Sequence, residues 1–368
     1  MPASQQTSRL AVRSARTRCV LVPLTIALGT SAAVVRNVPL LLLDLATGEG
    51  VVGKSYIFCY SPANARAIAG FIADAVELVR GQPAAPADIA RKLGRRFALI
   101  GVTGSVRAAL SAIDIALWDA LGRLAGQPLA TLLGANLRPL PAYDSRGLGL
   151  MAPEALAAET ELLRAKGLRA VKLRLGYPTL SEDLTAVRTV RQVLPEGMPV
   201  MVDYNQALSP AEAVQRGHAL AGEKIYWLEE PIRHDDYPGN ALIARSVKVP
   251  LQIGENFNGP YAMLDAIAAG ACTYVMPDVA RIGGVTGWMQ AAGIAAAKAI
   301  EMSSHLMPEI SAHLLAASPT RHWLEYVDWA DAILEEPMRI ADGCAIAPEG
   351  PGLGFSWDEA KIGKLDAL

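Results

Sequence analysis

The sequence predicts an α/β chain built as a (β/α) barrel with a smaller α+β cap. Three observations predict it. The chain has 368 residues, long for one simple domain, with 52% hydrophobic and 19% charged side chains, enough to bury a large core. From about Pro141 onward, short β-rich runs alternate with Ala-rich helical stretches. Acidic residues also recur at a fixed interval: Asp203 to Glu229 is 26 residues, and Glu229 to Glu255 is 26 again. That interval fits a strand, a helix and two loops, so it reads as a repeated βα unit.

The elements follow in chain order. Residues 1–8 read as a frayed terminus. Arg9, Arg13, Arg16 and Arg18 precede an apolar run from Cys19 to Leu28 and then Gly29-Thr30-Ser31-Ala32. This imitates a secretory leader, but Pro23 interrupts the run and alternation from Leu10 favours a strand. Leu10 to about Gly53 reads strand, loop, strand, with Val38–Asp44 the clearest strand and Gly48-Glu49-Gly50 a turn. The connecting segment Leu24–Arg36 is too apolar for an ordinary solvent-facing loop and is expected to cover something, with Arg36 facing solvent. Residues 62–136 read as helices, and Ala109–Leu124 stops near Gly126-Gln127-Pro128. Asp114 and Asp119 on that helix read as capping or packing polarity.

Eight β-rich runs come next: Pro141–Ser145, Ala170–Gly176, Pro199–Asn205, Ile225–Pro231, Pro250–Glu255, Tyr274–Val279, Met302–Leu306 and His322–Val327. After about Asp331 the pattern is lost, and the Gly- and Pro-rich remainder is expected to fold back. The expected division is a cap over 1–138, a barrel over 139–330 and a returning segment over 331–368.

Charge and composition exclude several classes. A net charge of −2 gives no electrostatic argument for nucleic acid or an anionic membrane. No apolar run has the length to span a bilayer. Cys19, Cys59, Cys272 and Cys344 are scattered singly, which reads as free thiols in a reducing, cytoplasmic setting.

In such a barrel, catalytic groups lie at the C-terminal ends of the strands. Those ends carry Lys172 and Arg174 on strand two and Asp203 and Asn205 on strand three. Glu229-Glu230-Pro231 and Glu255-Asn256 follow on strands four and five, then Asp278, His305 and Glu325. Three converging carboxylates repel one another unless a cation compensates them. Mg²⁺ suits Asp203, Glu229 and Glu255, because it accepts a few carboxylates and keeps positions for water or substrate.

Trp227-Leu228-Glu229-Glu230-Pro231, Met201-Val202-Asp203-Tyr204-Asn205, and Met276-Pro277-Asp278 with Gly283-Gly284-Val285-Thr286-Gly287 resemble the enolase superfamily, nearest to its mandelate racemase branch. Ala112–Asp119, Met302–Leu306 and His322–Glu325 extend the likeness over almost the whole chain, from about Arg9. The resemblance implies a modified TIM (β/α)7β barrel, capped by the N-terminal part and the C-terminal tail. It implies one Mg²⁺ per subunit on Asp203, Glu229 and Glu255, and a homo-oligomer acting on a small carboxylate. Lys172 would neutralise the substrate carboxylate, Ser145 would hydrogen-bond it, and Asn205 would contact the α-hydroxyl. His305, oriented by Asp278, would be an acid/base, and Glu325 would donate to the carboxylate as it becomes an enediolate.

One residue departs from the pattern. Racemases of this kind carry Lys-x-Lys on strand two, and the second lysine is a base. Here that position is Arg174, which keeps its proton at ordinary pH. The resemblance also places Leu28, Ala32, Val35, Tyr60 and Val327 around the substrate side chain, which favours a hydrophobic, aryl 2-hydroxy acid. The expectation is therefore mandelate-type enediolate chemistry with His305 as the main base. The alternatives are an acid-sugar dehydratase giving a 2-keto acid, and a barrel retained only for binding.

Overall fold

The computed structural model describes residues 10–31 and 33–368. Residues 1–9 and Ala32 therefore lie outside the described residues, including the expected frayed terminus, Arg9 and one candidate pocket residue. The chain opens with an antiparallel ribbon, β1 (Val12–Gly29) and β2 (Val34–Thr47), followed by β3 (Val52–Phe58). Arg13, Arg16, Arg18 and the apolar run after them are all strand. The expected apolar loop is corrected here: β1 and β2 pair out to Gly29↔Val34, with an irregularity between Pro23 and Leu28. Pro23 lacks a backbone donor, so it breaks the alternation that would have marked the strand.

Helices α1 (Pro62–Val79) and α3 (Gly104–Ala125) pack against this sheet, and α2 (Pro86–Arg96) packs against α3 and α1. Leu40–Leu43 are all buried, because the sheet is covered on both faces. Neighbouring β3 residues show this directly: Ser55 Oγ donates to Ala112 O of α3, whereas the Tyr56 hydroxyl points the other way and donates to Glu309. Gly126, at φ 64°, closes α3 as the stop signal predicts.

After the short α4 (Leu129–Leu132) the barrel begins. Its strands are β4 (Leu140–Asp144), β5 (Val171–Arg174), β6 (Val200–Asp203), β7 (Leu228–Glu229), β8 (Leu251–Ile253) and β9 (Tyr274–Val275). They alternate with α5 (Pro153–Arg164), α6 (Leu180–Val193), α7 (Pro210–Leu220), α8 (Tyr237–Ser246) and α9 (Pro260–Ala268). Helices α10 (Val279–Ile282) and α11 (Gly284–Ala297) follow. The seventh run, Met302–Leu306, is held by single parallel bridges, Val275↔Met302, Asp278↔His305 and Met302↔Arg321. Helix α12 (Pro308–Ala316) leads to β10 (Leu324–Tyr326), which pairs parallel with β4 and closes the ring. Among the described residues the eighth run is followed before the tail by a single 3-10 turn, Trp329–Ala332, and by no α-helix, which is the (β/α)7β form.

The tail first adds a hairpin, β11 (Arg339–Ala341) and β12 (Cys344–Ile346), to β4. After α13 (Glu359–Ile362), β13 (Asp366–Ala367) pairs with β1 at Val20↔Ala367. Buried acids of α3 clamp cap to barrel and tail. Asp114 accepts from Thr286 N and Oγ1 at 2.9 and 2.6 Å, and Asp119 accepts from Lys54 N and Leu353 N at 2.7 and 2.6 Å. All four cysteines are free, and no described helix is long and apolar enough to cross a membrane.

Candidate active site

Parallel register brings the acids together. Asp203 lies beside Glu229 across β6 and β7, and Arg174 lies beside Asp203 across β5 and β6. Glu255 stands two residues beyond β8 and reaches the same point. One carboxylate oxygen from each of Asp203, Glu229 and Glu255 lies within 4.8 Å of the others. Burial, opposed by Lys172 and reinforced by Asp203, Glu325 and Glu255, pushes the Glu229 carboxyl up to about 8. An all-oxygen set under that mutual repulsion fits a hard divalent cation.

Other side chains fix these oxygens in place. Asn205, at φ 45°, donates to both Asp203 oxygens, from its backbone N at 2.7 Å and its Nδ2 at 3.0 Å. Trp227 Nε1 donates to Glu229 Oε2 at 2.9 Å. Asn256 Nδ2 donates to Glu230 Oε2 at 2.7 Å and to Glu255 Oε1 at 3.3 Å. Glu230 is itself buried, and burial together with Glu255 raises its pKa well above the carboxylate range. Sequence reading passed over Glu230 and Asn256 as supporting groups. Their only signal was adjacency to a ligand candidate.

Lys172 Nζ sits among three carboxylates, 2.6 Å from Glu229, 2.8 Å from Glu325 and 3.3 Å from Asp203. Burial alone disfavours its charge, but Glu229 and Glu325 outweigh that and raise its pKa well above the usual value. His305 Nδ1 lies 2.7 Å from Asp278 Oδ2, and its Nε2 lies 3.2 Å from Glu255. Burial opposes the charged ring, yet Glu255, Glu325 and Asp278 raise its pKa to about 9.

Glu325, expected to donate to a substrate carboxylate, is itself ringed by donors: Ser145 Oγ at 2.6 Å, Lys172 Nζ at 2.8 Å and Leu306 N at 2.9 Å. Although burial opposes it, Lys172 and His305 hold Glu325 ionised, so here it accepts.

Arg174 is turned away from any proton-accepting task. It is 5% exposed, and it donates to Ser145 O at 3.0 Å, Gly147 O at 2.7 Å and Ser145 Oγ at 2.8 Å. A chain of hydrogen bonds therefore runs from Arg174 through Ser145 to Glu325.

The apolar candidates occupy different settings. Leu28 and Val327 belong to the buried core, and Val35 is half-buried opposite Leu28 in the ribbon. Tyr60 is 51% exposed, at φ 62°, beneath the Arg281 guanidinium at 4.8 Å. Arg36 is exposed.

The tip of the β1–β2 ribbon docks on the barrel mouth. Leu150 N donates to Gly29 O at 3.3 Å, and Ser31 Oγ donates to Tyr204 O at 3.1 Å. Gly29 and Gly149 meet backbone to backbone; a Cβ on Gly149 would stand 2.3 Å from Gly29 O.

Comparison with known proteins places this geometry. Residues 10–134 match the mandelate racemase / muconate lactonizing enzyme N-terminal domain, and residues 155–361 match the enolase C-terminal domain-like family. A 3,6-anhydro-alpha-L-galactonate cycloisomerase of Streptomyces coelicolor is 36% identical over 272 residues, 73% of this chain and 75% of that protein. An L-talarate/galactarate dehydratase of Salmonella typhimurium is 32% identical over 263 residues, 71% of this chain and 66% of that protein. A crystal structure of an enolase from Bradyrhizobium, complexed with magnesium and mandelic acid, superposes with a TM-score of 0.93 at 38% identity, covering 99% of this chain and 100% of that one.

Proposed function

This chain belongs to the mandelate racemase / muconate lactonizing enzyme family of the enolase superfamily, and from that premise we propose a single-base, Mg²⁺-dependent dehydratase of a 2,3-dihydroxy carboxylate, an acid sugar, giving a 2-keto acid. The observation that carries it is Arg174. Its two terminal nitrogens are taken up by two carbonyls and a hydroxyl on its own side of the barrel mouth. A racemase needs a proton acceptor on each face of the α-carbon, and arginine at this position is no acceptor. One base suits elimination, in which the abstracted proton need not return.

Asp203, Glu229 and Glu255 would hold the Mg²⁺, which when bound offsets the charge that builds on a carboxylate as its α-proton leaves. The chain's own residues supply the rest. Asp278 accepts from His305 Nδ1, and the neutral ring, the form favoured as pH approaches about 9, takes the α-proton on Nε2. The Cα–H electrons move into the substrate carboxylate. Their return forms a Cα–Cβ double bond and expels the β-hydroxyl, which leaves as water with the proton from His305. The resulting enol tautomerises to the 2-keto acid. Lys172 neutralises the substrate carboxylate, and Arg174 holds Ser145 in place to orient it.

A second reading, mandelate-type chemistry on an aryl hydroxy acid, draws on Leu28 and Val35 in the ribbon and on the mandelic acid bound by the Bradyrhizobium relative. One experiment separates the two. Purified enzyme with Mg²⁺ is incubated in D₂O with sugar acids and with both mandelate enantiomers. α-Deuteration is read by NMR, and keto acids are read as semicarbazones. The proposal expects keto acid from a sugar acid, lost in His305→Asn. Equal α-exchange on both mandelate enantiomers, without any keto acid, would overturn it.

A further inference from the structure

We propose that Tyr56 and Glu309, a buried pair that joins cap to barrel, are positioning residues for His305, a step that rests on His305 being the base of the reaction proposed above. The cap then takes part in setting the catalytic histidine without touching substrate.

The turn that follows His305 is strained. Leu306 and Met307 both have left-handed backbone, at φ 49° and 43°, and neither is glycine. Such backbone is costly and persists only where its surroundings over-determine it. On the side of the reaction centre, His305 N donates to Pro277 O at 3.3 Å and Leu306 N donates to Glu325 Oε2 at 2.9 Å. On the other side, Ser311 Oγ donates to Leu306 O at 2.8 Å, while Ile310 N and Ser311 N donate to Met307 O at 3.1 and 2.9 Å. Those last donors all belong to α12, so the turn is only as fixed as α12 itself.

Hydrogen bonds to the cap and the tail fix α12. Glu309, in its first turn, is 1% exposed, and it accepts from the Tyr56 hydroxyl of β3. One turn on, His313 Nδ1 accepts from Ala130 N at 3.4 Å, and its Nε2 lies 3.2 Å from Leu353 O. Glu309 is an expensive way to fill this space. Its Oε1 is buried without a partner among the described residues. Burial, partly offset by Tyr56 and reinforced by Asp331 and Asp328, raises its pKa to about 7. An apolar pair would avoid that desolvation, so stability is a poor account of Glu309. Direction is a better one. Apolar packing is non-directional, whereas a hydrogen bond fixes where the first turn of α12 stands. Burial and Glu309 hold Tyr56 protonated, so it stays a donor at working pH.

The test compares Tyr56→Phe, Glu309→Leu and Glu309→Gln with the wild type, all Mg²⁺-loaded. Glutamine keeps an acceptor for Tyr56, and the other two changes remove the bond. Hydrogen exchange is read by mass spectrometry over residues 302–310, with the barrel strands as the internal standard. Tyr56→Phe and Glu309→Leu should each lose about tenfold of protection at the Leu306 amide relative to those strands, the size of one hydrogen bond. On any acid that the wild type deuterates at the α-carbon, the same two variants should lower kcat about tenfold and leave KM and Mg²⁺ affinity within about threefold. Glu309→Gln should stay within about threefold of the wild type in every reading. Should Glu309→Leu fail to fold, Tyr56→Phe decides alone, because it removes a single hydroxyl. Wild-type protection at Leu306 in Tyr56→Phe, or equal losses in Glu309→Gln and Glu309→Leu, would overturn the proposal. Should the wild type deuterate no acid, the reaction reading fails, while the Leu306 amide still decides this one.

Discussion

The docked ribbon tip offers the sharpest prediction, Gly149→Ala. Gly149 has no positive φ, so alanine carries no backbone penalty there, and the effect is steric. The added Cβ would stand 2.3 Å from Gly29 O, 2.5 Å from its N and 2.7 Å from its Cα, all backbone atoms. Restoring ordinary contact moves the tip by about 1 Å. That breaks the 3.3 Å bond from Leu150 N to Gly29 O and strains the 3.1 Å bond from Ser31 to Tyr204 O. Two neutral bonds at roughly 1 kcal/mol each amount to about 2 kcal/mol, an approximately 30-fold shift toward the undocked ribbon. Hydrogen exchange read by mass spectrometry over residues 24–31 and 147–151 checks it. The Leu150 amide should lose about 30-fold of its protection while the barrel strands keep theirs. Protection at Leu150 equal to wild type would refute the claim that these glycines let the ribbon close.

Further outcomes follow from the same geometry. Glu229→Gln should weaken Mg²⁺ by on the order of 100-fold by titration calorimetry, since it removes a charged ligand, and unchanged affinity would remove the metal assignment. His305→Asn should lower α-deuterium exchange by about 10²–10⁴-fold while leaving Mg²⁺ affinity within about threefold, as expected of a lost general base. Arg174→Met should destabilise the fold by roughly 3 kcal/mol in urea unfolding, because it orphans two buried carbonyls and frees Ser145; a change under about 0.5 kcal/mol would contradict its bracing role. His313 gives a pH signature. Burial, only partly offset by its bond to Leu353 O, lowers its pKa from 6.5 to about 4. The folded state therefore resists protonation that the unfolded chain accepts. Its contribution is full above pH 6.5 and is lost as pH falls toward about 4, roughly 3 kcal/mol at about 1.36 kcal/mol per unit. Unfolding followed in EDTA should show that slope, and His313→Leu should flatten it.

Much of the barrel was readable because its signals are local. The two 26-residue intervals place Asp203, Glu229 and Glu255 on successive units, and parallel register then brings their carboxylates together. The ribbon was harder to read: Pro23 and the shift after it hide a strand that continues to Gly29. The seventh run is extended but too briefly paired to register as a strand. Side-chain direction was out of reach altogether. Arg174 was visible as an anomaly, yet its turn toward Ser145 and Gly147 depends on the backbone path after β4. Glu325 reads as an acid at a strand end, and only the charges of Lys172 and His305 beside it set its protonation.

The pairing of Val20 with Ala367 bears on how the chain reaches this state. During synthesis the ribbon emerges before the barrel and its edge partner after it. Until β13 arrives, β1 presents an unpaired edge beside Cys19, whose carbonyl later accepts from Leu368 N at 2.9 Å. Closing so long a loop is entropically slow, so the cap's edge is the segment most open to strand exchange between nascent copies. A short C-terminal truncation would therefore harm yield and solubility before it touched the reaction centre.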